Sequence, residues 1–159
     1  MMEDDQSIID HYNLKPHPEG GWFRRTYSCS DTAKLEKGSR SCASSILYFL
    51  KSGEQSCLHF LDSDEVWYFH LGSSVKIHLF SETDYSSVIL GHSLDFGATV
   101  QYVVKKGIIF GAELIENRFA LLSCSVSPGF DEKDFHWPNS SELALKFPEQ
   151  EGIIKRLAF

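Results

Sequence analysis

Between Gly53 and Gly72 the chain reads G-E-Q-S-C-L-H-F-L-D-S-D-E-V-W-Y-F-H-L-G, and this segment holds the residues best suited to chemistry. Glu65 follows His59 after five residues, and a glycine stands at each end of the segment. Side chains two apart on a strand share a face, and the next strand of a hairpin returns a carboxylate opposite them. An imidazole and a carboxylate brought together serve two kinds of chemistry. They hold a divalent metal when enough further ligands converge. Alternatively they move a proton, the carboxylate orienting the imidazole and raising its basicity.

Such a pair needs a scaffold, and the pattern from Trp22 to Val126 is one of short strands separated by Gly, Ser, Asp and Asn. The expected strands are Trp22–Tyr27, Ser44–Leu50, Cys57–Leu61, Glu65–Leu71, Val75–Phe80, Ser87–Leu90, Val100–Val104, Ile108–Leu114 and Phe119–Val126. Their spacing predicts an all-β sandwich or barrel. Alternation in Val75-Lys76-Ile77-His78-Leu79 puts His78 on the solvent face, and Glu116-Asn117-Arg118 reads as a hairpin turn. A short helix is predicted around Ser7–Tyr12, with Ser7 as its cap, and a second after Asn139, stopped by Pro148. One domain is the natural organisation: a lead-in over 1–21, a barrel over 22–126 and an extension over 127–159.

Composition sets the outer limits. The chain has 159 residues, 42% of them hydrophobic, and a net charge of -7. That length suits one core. The acidic balance, with no basic block, argues against nucleic acid and anionic membrane surfaces as partners. No run of apolar residues is long enough to span a bilayer. The first ten residues open with acids, unlike a secretory signal, so a cytoplasmic address is expected. Cys29, Cys42, Cys57 and Cys124 lack metal-site spacing and read as reduced thiols.

Several blocks in fixed order add a resemblance. They are His17-Pro18-Glu19-Gly20-Gly21-Trp22-Phe23, Ser45–Leu50, Ser56–His59, Asp64–Trp67, Gln101–Val104 and Val126–Phe130, followed by Asp134-Phe135. The series resembles the cupin superfamily, and within it the "cupin-5" family of unknown function marked by HPEGG. The resemblance covers nearly the whole chain. It implies a double-stranded β-helix, a jelly-roll barrel, with short helices at both ends. It also implies a homodimer, similar in architecture to the metal-independent dTDP-4-keto-sugar 3,5-epimerases.

Set against the cupin motifs, Gly53 to Gly72 is similar to the first, H-x-H followed by Glu, with Leu61 where the second histidine belongs. Lys105–Phe110 is similar to the second, P-x-G-x-x-H, with Phe110 in place of its histidine. Two of four metal ligands are thereby apolar, so no metal and no other cofactor is expected. A rebuilt metal site drawing on Cys57, Gln101, His17, Glu19 or His70 is the weaker alternative. With the metal removed, His59 and Glu65 are expected to touch and act as a proton-transfer dyad, with Tyr48 as the acid by family analogy. The expected ligand site adds Glu19, Arg24, Trp67, Gln101 and Phe110. Glu19 is held between Pro18 and two glycines, which suits either an aimed carboxylate or a surface turn. Strict alternation sends one of Arg24 and Arg25 inward, toward an anionic ligand. His70 reads as structural or interfacial, Pro128–Asp131 as a turn without chemistry, and Asp134-Phe135 as an anchor for the tail. Two functions follow: a metal-independent epimerase or isomerase of a keto-sugar-like compound, or a non-catalytic module binding a small anionic or sugar-like ligand.

Overall fold

The structure is a computed structural model that describes residues 5–94 and 97–159. Residues 1–4, part of the acidic opening on which the targeting expectation rests, lie outside the described residues. The chain begins with helix α1 (Asp5–Tyr12), strands β1 (Lys15–Pro16) and β2 (Trp22–Ser28), and a small hairpin, β3 (Thr32–Leu35) and β4 (Gly38–Ser41). The barrel continues through β5 (Ser44–Leu50), β6 (Gln55–Leu61), β7 (Asp64–Gly72), β8 (Val75–Phe80) and β9 (Tyr85–Leu90). Then come β10 (Gln101–Val104), β11 (Ile109–Leu114), β12 (Ala120–Ser127) and β13 (Phe135–His136), with helices α2 (Ser140–Lys146) and α3 (Glu151–Leu157) at the end.

Two antiparallel sheets face each other. One runs β1-β2-β5-β12-β7-β10 and the other β13-β6-β11-β8-β9. Their inward faces make the main core: Tyr48, Trp67, Phe69 and Leu122 from one side meet Ile77, Leu79, Phe110 and Ala112 from the other. This is the expected all-β jelly roll, and burial of each large side chain contributes about 1.5–3 kcal/mol. Two smaller clusters cover the outer faces. Ile8 and Ile9 of α1 pack with Phe49 and Leu121, while Leu143, Phe147, Ile154 and Leu157 of the C-terminal segment pack on Leu58 and Phe80.

Local signals explain most boundaries. Asn139 caps α2, its side-chain oxygen accepting from the Ser141 and Glu142 amides, and Pro148 follows the C-capping Phe147. Gly72 takes φ +100 at the end of β7, where an added Cβ would lie 2.1 Å from the Phe119 carbonyl oxygen. The structure departs from the sequence pattern at four places. Helix α1 starts at Asp5, so Ser7 lies inside it and does not cap it. Glu116–Arg118 is no hairpin turn, because it joins β11 in one sheet to β12 in the other. His78 is 1% exposed, since β8 is covered on its outer side as well. Its Nδ1 meets the Tyr85 hydroxyl at 2.8 Å and its Nε2 meets Glu113 at 3.0 Å. Finally, α3 and the β3–β4 hairpin carry too little periodicity to be recognised from sequence.

Candidate functional site

The site lies where the lead-in to β2 runs across the start of β6. The His17 amide donates to the Gly21 carbonyl at 2.8 Å, and the Gly20 amide to that of His17 at 3.1 Å, closing a tight turn. The Cys57 amide then donates to the Glu19 carbonyl at 2.8 Å, fixing this turn to β6. Gly20 takes φ +105, and a Cβ there would sit 2.2 Å from the Gln55 carbonyl oxygen. Only glycine permits so close an approach. Its result is that Glu19, 6% exposed, enters the barrel from outside the strand pattern.

Glu19 is the carboxylate that meets His59. Its Oε2 is 3.1 Å from His59 Nε2, and its Oε1 accepts from the Ser56 hydroxyl at 3.0 Å. His59 Nδ1 lies 2.7 Å from the Cys57 carbonyl oxygen. A carbonyl only accepts, so Nδ1 carries a proton and the contact between Nε2 and Oε2 holds one further shared proton. Burial pushes His59 below its usual value, against the opposing pull of Glu65. Burial likewise pushes Glu19 up, against His17 and the Ser56 and Tyr48 hydroxyls. Both effects favour the uncharged arrangement, a Glu19 carboxyl donating to a neutral imidazole.

His59 and Glu65 face each other closely enough for each to oppose the other's displacement, but the contact that His59 Nε2 makes is with Glu19. Both ring nitrogens of His59 are engaged elsewhere, and β6 and β7 belong to opposite sheets, so Glu65 does not stand beside His59 on a hairpin ladder. Glu65 is 7% exposed, and its Oε2 is buried without a hydrogen-bond partner. Burial, with the added repulsion of Glu19, raises its carboxyl from 4.5 to about 7, opposed by His59, Trp67 and Cys124. The Trp67 indole nitrogen is also buried without a partner of good geometry.

Glu19, His59 and Glu65 all face one cavity of about 450 Å³. Its apolar wall includes Phe23, Ile46, Leu61, Val126, Phe135 and Trp137. Phe135 lies flat against the His59 ring, centroids 5.1 Å apart and 13° between planes. This residue is held by the segment after β12, where buried Asp134 accepts from Arg40 Nε at 2.8 Å and from Nη2 at 3.2 Å. The Pro128–Asp131 turn, though its sequence suggests no chemistry, puts Phe130 in the cavity wall, and Glu132 follows it there.

The other expected site residues fall differently. Tyr48 is fully buried and donates its hydroxyl to the Gly20 carbonyl at 2.7 Å. Burial holds that phenol well above its usual value, so it braces the lead-in and does not face the cavity as an acid. Trp67 and Phe110 point inward as their parity requires, yet both are core: Trp67 is fully buried and Phe110 packs on His59 with centroids 4.2 Å apart. Gln101 pairs with Tyr68 and is exposed, outside the cavity. Arg24 pairs with Leu47, which packs in the α1 cluster on the outer face. Arg25 is the arginine that lines the cavity, with its guanidinium 5.7 Å from the centroid of the Phe130 ring.

Leu61 and Phe110 occupy two positions where the cupin motifs carry metal ligands, and His59 Nε2 is directed at Glu19. Among the described residues no group of three or more His, Cys, Asp or Glu is placed to hold a metal. Of the substitutes considered, His17 and Glu19 do join His59, whereas Gln101 and His70 are exposed. His17 Nδ1 accepts from the Glu19 amide at 3.2 Å, which draws it toward the turn. The residues present do not fit a metal centre.

Comparison with known proteins agrees with this architecture. A hypothetical protein from Leishmania major superposes with a TM-score of 0.88 at 30% identity, covering 99% of both chains. A protein from Shewanella oneidensis gives 0.91 at 34% identity, again over 99% of both. Oxalate decarboxylase from Bacillus subtilis shares the fold alone, with a TM-score of 0.55 at 18% identity over 89% of this chain and 36% of that one. No curated protein matches. Among the described residues no helix is long and apolar enough to cross a membrane. The family model described as "Cupin superfamily (DUF985)" matches residues 6–137, and the chain belongs to that cupin family, whose function is unknown.

Proposed function

We propose that the cavity binds a small sugar-like carbonyl compound and that its buried acids transfer a proton on it without a metal, as an epimerase or isomerase does. The observation that carries this reading is Glu65: a buried carboxyl that titrates near neutrality, with Oε2 unpartnered, in the wall of a cavity. General acid–base groups work best with a pKa close to the working pH. In this reading the Glu65 carboxylate takes the proton from a carbon next to the carbonyl. The C–H electrons form the enol double bond, and the carbonyl oxygen receives the proton shared by Glu19 and His59. Return of a proton to the opposite face of the carbon, as the enol oxygen gives its proton back to Glu19 and His59, completes an epimerisation; return to the original face regenerates the starting compound. His59 acts here as a positioning residue, since neither of its nitrogens is free for substrate.

Deuterium exchange tests the reading even while the product is unidentified. Keto-sugars and α-hydroxyketones are incubated with protein in D2O, and loss of the C–H signal next to the carbonyl is followed by proton NMR. Exchange that rises with pH through about 7 and disappears in Glu65→Gln is expected; exchange that survives Glu65→Gln rejects the assignment.

Non-catalytic binding is the second reading, favoured by the internal contacts that engage His59 and Tyr48. It predicts ligand-dependent thermal stabilisation with no exchange in the same samples. A homodimer belongs to either reading. Its support is the outer face of the six-stranded sheet, where exposed Val103 pairs with Val66 beside Tyr68. Light scattering that returns the mass of one chain rejects it.

A further inference from the structure

The cavity's charged groups are unevenly distributed, and this says which ligands it admits. Three carboxyl groups line it, those of Glu19, Glu65 and Glu132, against one guanidinium, that of Arg25. Arg25 and Glu132 are exposed, and Arg25 lies toward the Phe130 ring. The two deep acids are 6% and 7% exposed. No lysine lines the cavity among the described residues.

We infer that the site selects uncharged polyhydroxylated rings and rejects their phosphorylated or carboxylated counterparts. This deepens the proposed reading and rests on it for the identity of the cavity as a ligand site. An anion entering the deep end gives up its hydration with no lysine or arginine there to replace it, and once Glu65 ionises it also meets a buried carboxylate whose repulsion is poorly screened. A phosphate near the mouth finds only Arg25, offset by Glu132. A hydroxyl suits the deep end better, because it can donate to the orphaned Glu65 Oε2. It can also accept from a protonated carboxyl when Glu65 holds its proton, so either form finds a partner. The flat apolar faces of Phe23, Phe135 and Trp137 match the C–H faces of a sugar ring, in the usual pattern of apolar walls with few polar groups. A cavity of about 450 Å³ has room for one such ring.

The groups facing Glu65 also explain why an ammonium is not the preferred occupant. Glu19 from the lead-in, His59 from β6, Trp67 from β7 and Cys124 from β12 surround it, and the Glu19–His59 pair is internally neutral. An ammonium therefore gains one carboxylate only after that group gives up its proton. It also leaves the remaining polar surface without a match.

Thermal-shift and NMR titrations on the full chain test this with matched sets built on glucose, galactose, mannose and fructose. Each set contains the free sugar and its 6-phosphate, and the aldoses add the 2-amino sugar and the uronate. Free sugars of at least one set are expected to bind, with the phosphate and uronate weaker by about tenfold or more. Glu132→Lys, at an exposed position, is expected to narrow that gap. Three results overturn the inference: a phosphate or uronate that binds as well as its parent, an amino sugar that binds best, or no free sugar that binds. Because binding is read separately from deuterium exchange, binding of free sugars without exchange rejects the proton-transfer reading and leaves the charge ranking standing.

Discussion

Replacing Glu65 by Gln removes the one buried carboxyl, among the described residues, whose oxygen has no partner, and the effect is legible in stability as a function of pH. In the folded chain this carboxyl titrates near about 7 instead of 4.5, a displacement worth roughly 3 kcal/mol at high pH. The folded state holds the proton more tightly than the unfolded state does. Stability from this group is therefore complete below pH 4.5 and is lost as pH rises through about 7. Roughly 2 kcal/mol of the total falls between pH 5.5 and 8. His17 and His59, held below their usual values chiefly by burial, act in the opposite sense: their contribution is lost as pH falls. Comparing the native chain with Glu65→Gln cancels those opposing terms to first order. Urea unfolding at both pH values should show the native chain losing about 2 kcal/mol more than the variant on going to pH 8. Any constant cost of the amide drops out of this difference. Parallel profiles for the two proteins would refute the assignment of a strained, neutral-leaning carboxyl.

Three further outcomes follow from the same geometry. Nitrogen NMR of His59 should show Nδ1 protonated across the neutral range, because the Cys57 carbonyl accepts from it; a neutral ring protonated only at Nε2 contradicts the shared-proton arrangement. Phe110→Ala should cost about 3–5 kcal/mol in chemical denaturation, since this ring is 1% exposed and packs on both His59 and Trp67. His78→Ala should cost about 1–3 kcal/mol by the same measure, as it strips Tyr85 and Glu113 of a buried partner; a loss below about 0.5 kcal/mol, the ordinary range for surface changes, would place His78 back on a solvated face.

The strands and the inward face of β7 are legible in the sequence because alternation is a local signal, and Glu65, Trp67 and Phe69 all fall where it puts them. The flanking glycines single out Glu19, but nothing local names its partner. The contact with His59 depends on the lead-in lying against β6, a packing decided by the Gly20 approach to Gln55. The choice between Arg24 and Arg25 fails for a related reason: the strand's inward set is fixed by Phe23, and β2 carries an irregularity just after Arg25. Phe135 and its anchor are least visible. A two-residue strand has no periodicity, and the Arg40–Asp134 contact spans 94 positions.

That last contact bears on how the molecule opens. Four residues of the cavity wall, Phe130, Glu132, Phe135 and Trp137, come from the stretch after β12, which is fastened to the β3–β4 hairpin through Arg40 and by the Gly129 amide donating to the Ser41 carbonyl at 2.7 Å. The hairpin forms a two-stranded sheet separate from both barrel sheets. The stretch meets the barrel through β13, the edge strand paired with β6, and through the Phe130 amide donating to the Ser44 hydroxyl at 2.9 Å; a two-residue edge pairing is the kind of contact that opens locally before the central strands do. Amide exchange through the wall should then report a smaller free energy than exchange in β5, β7 and β12, so the stability of the ligand site and that of the chain can vary separately.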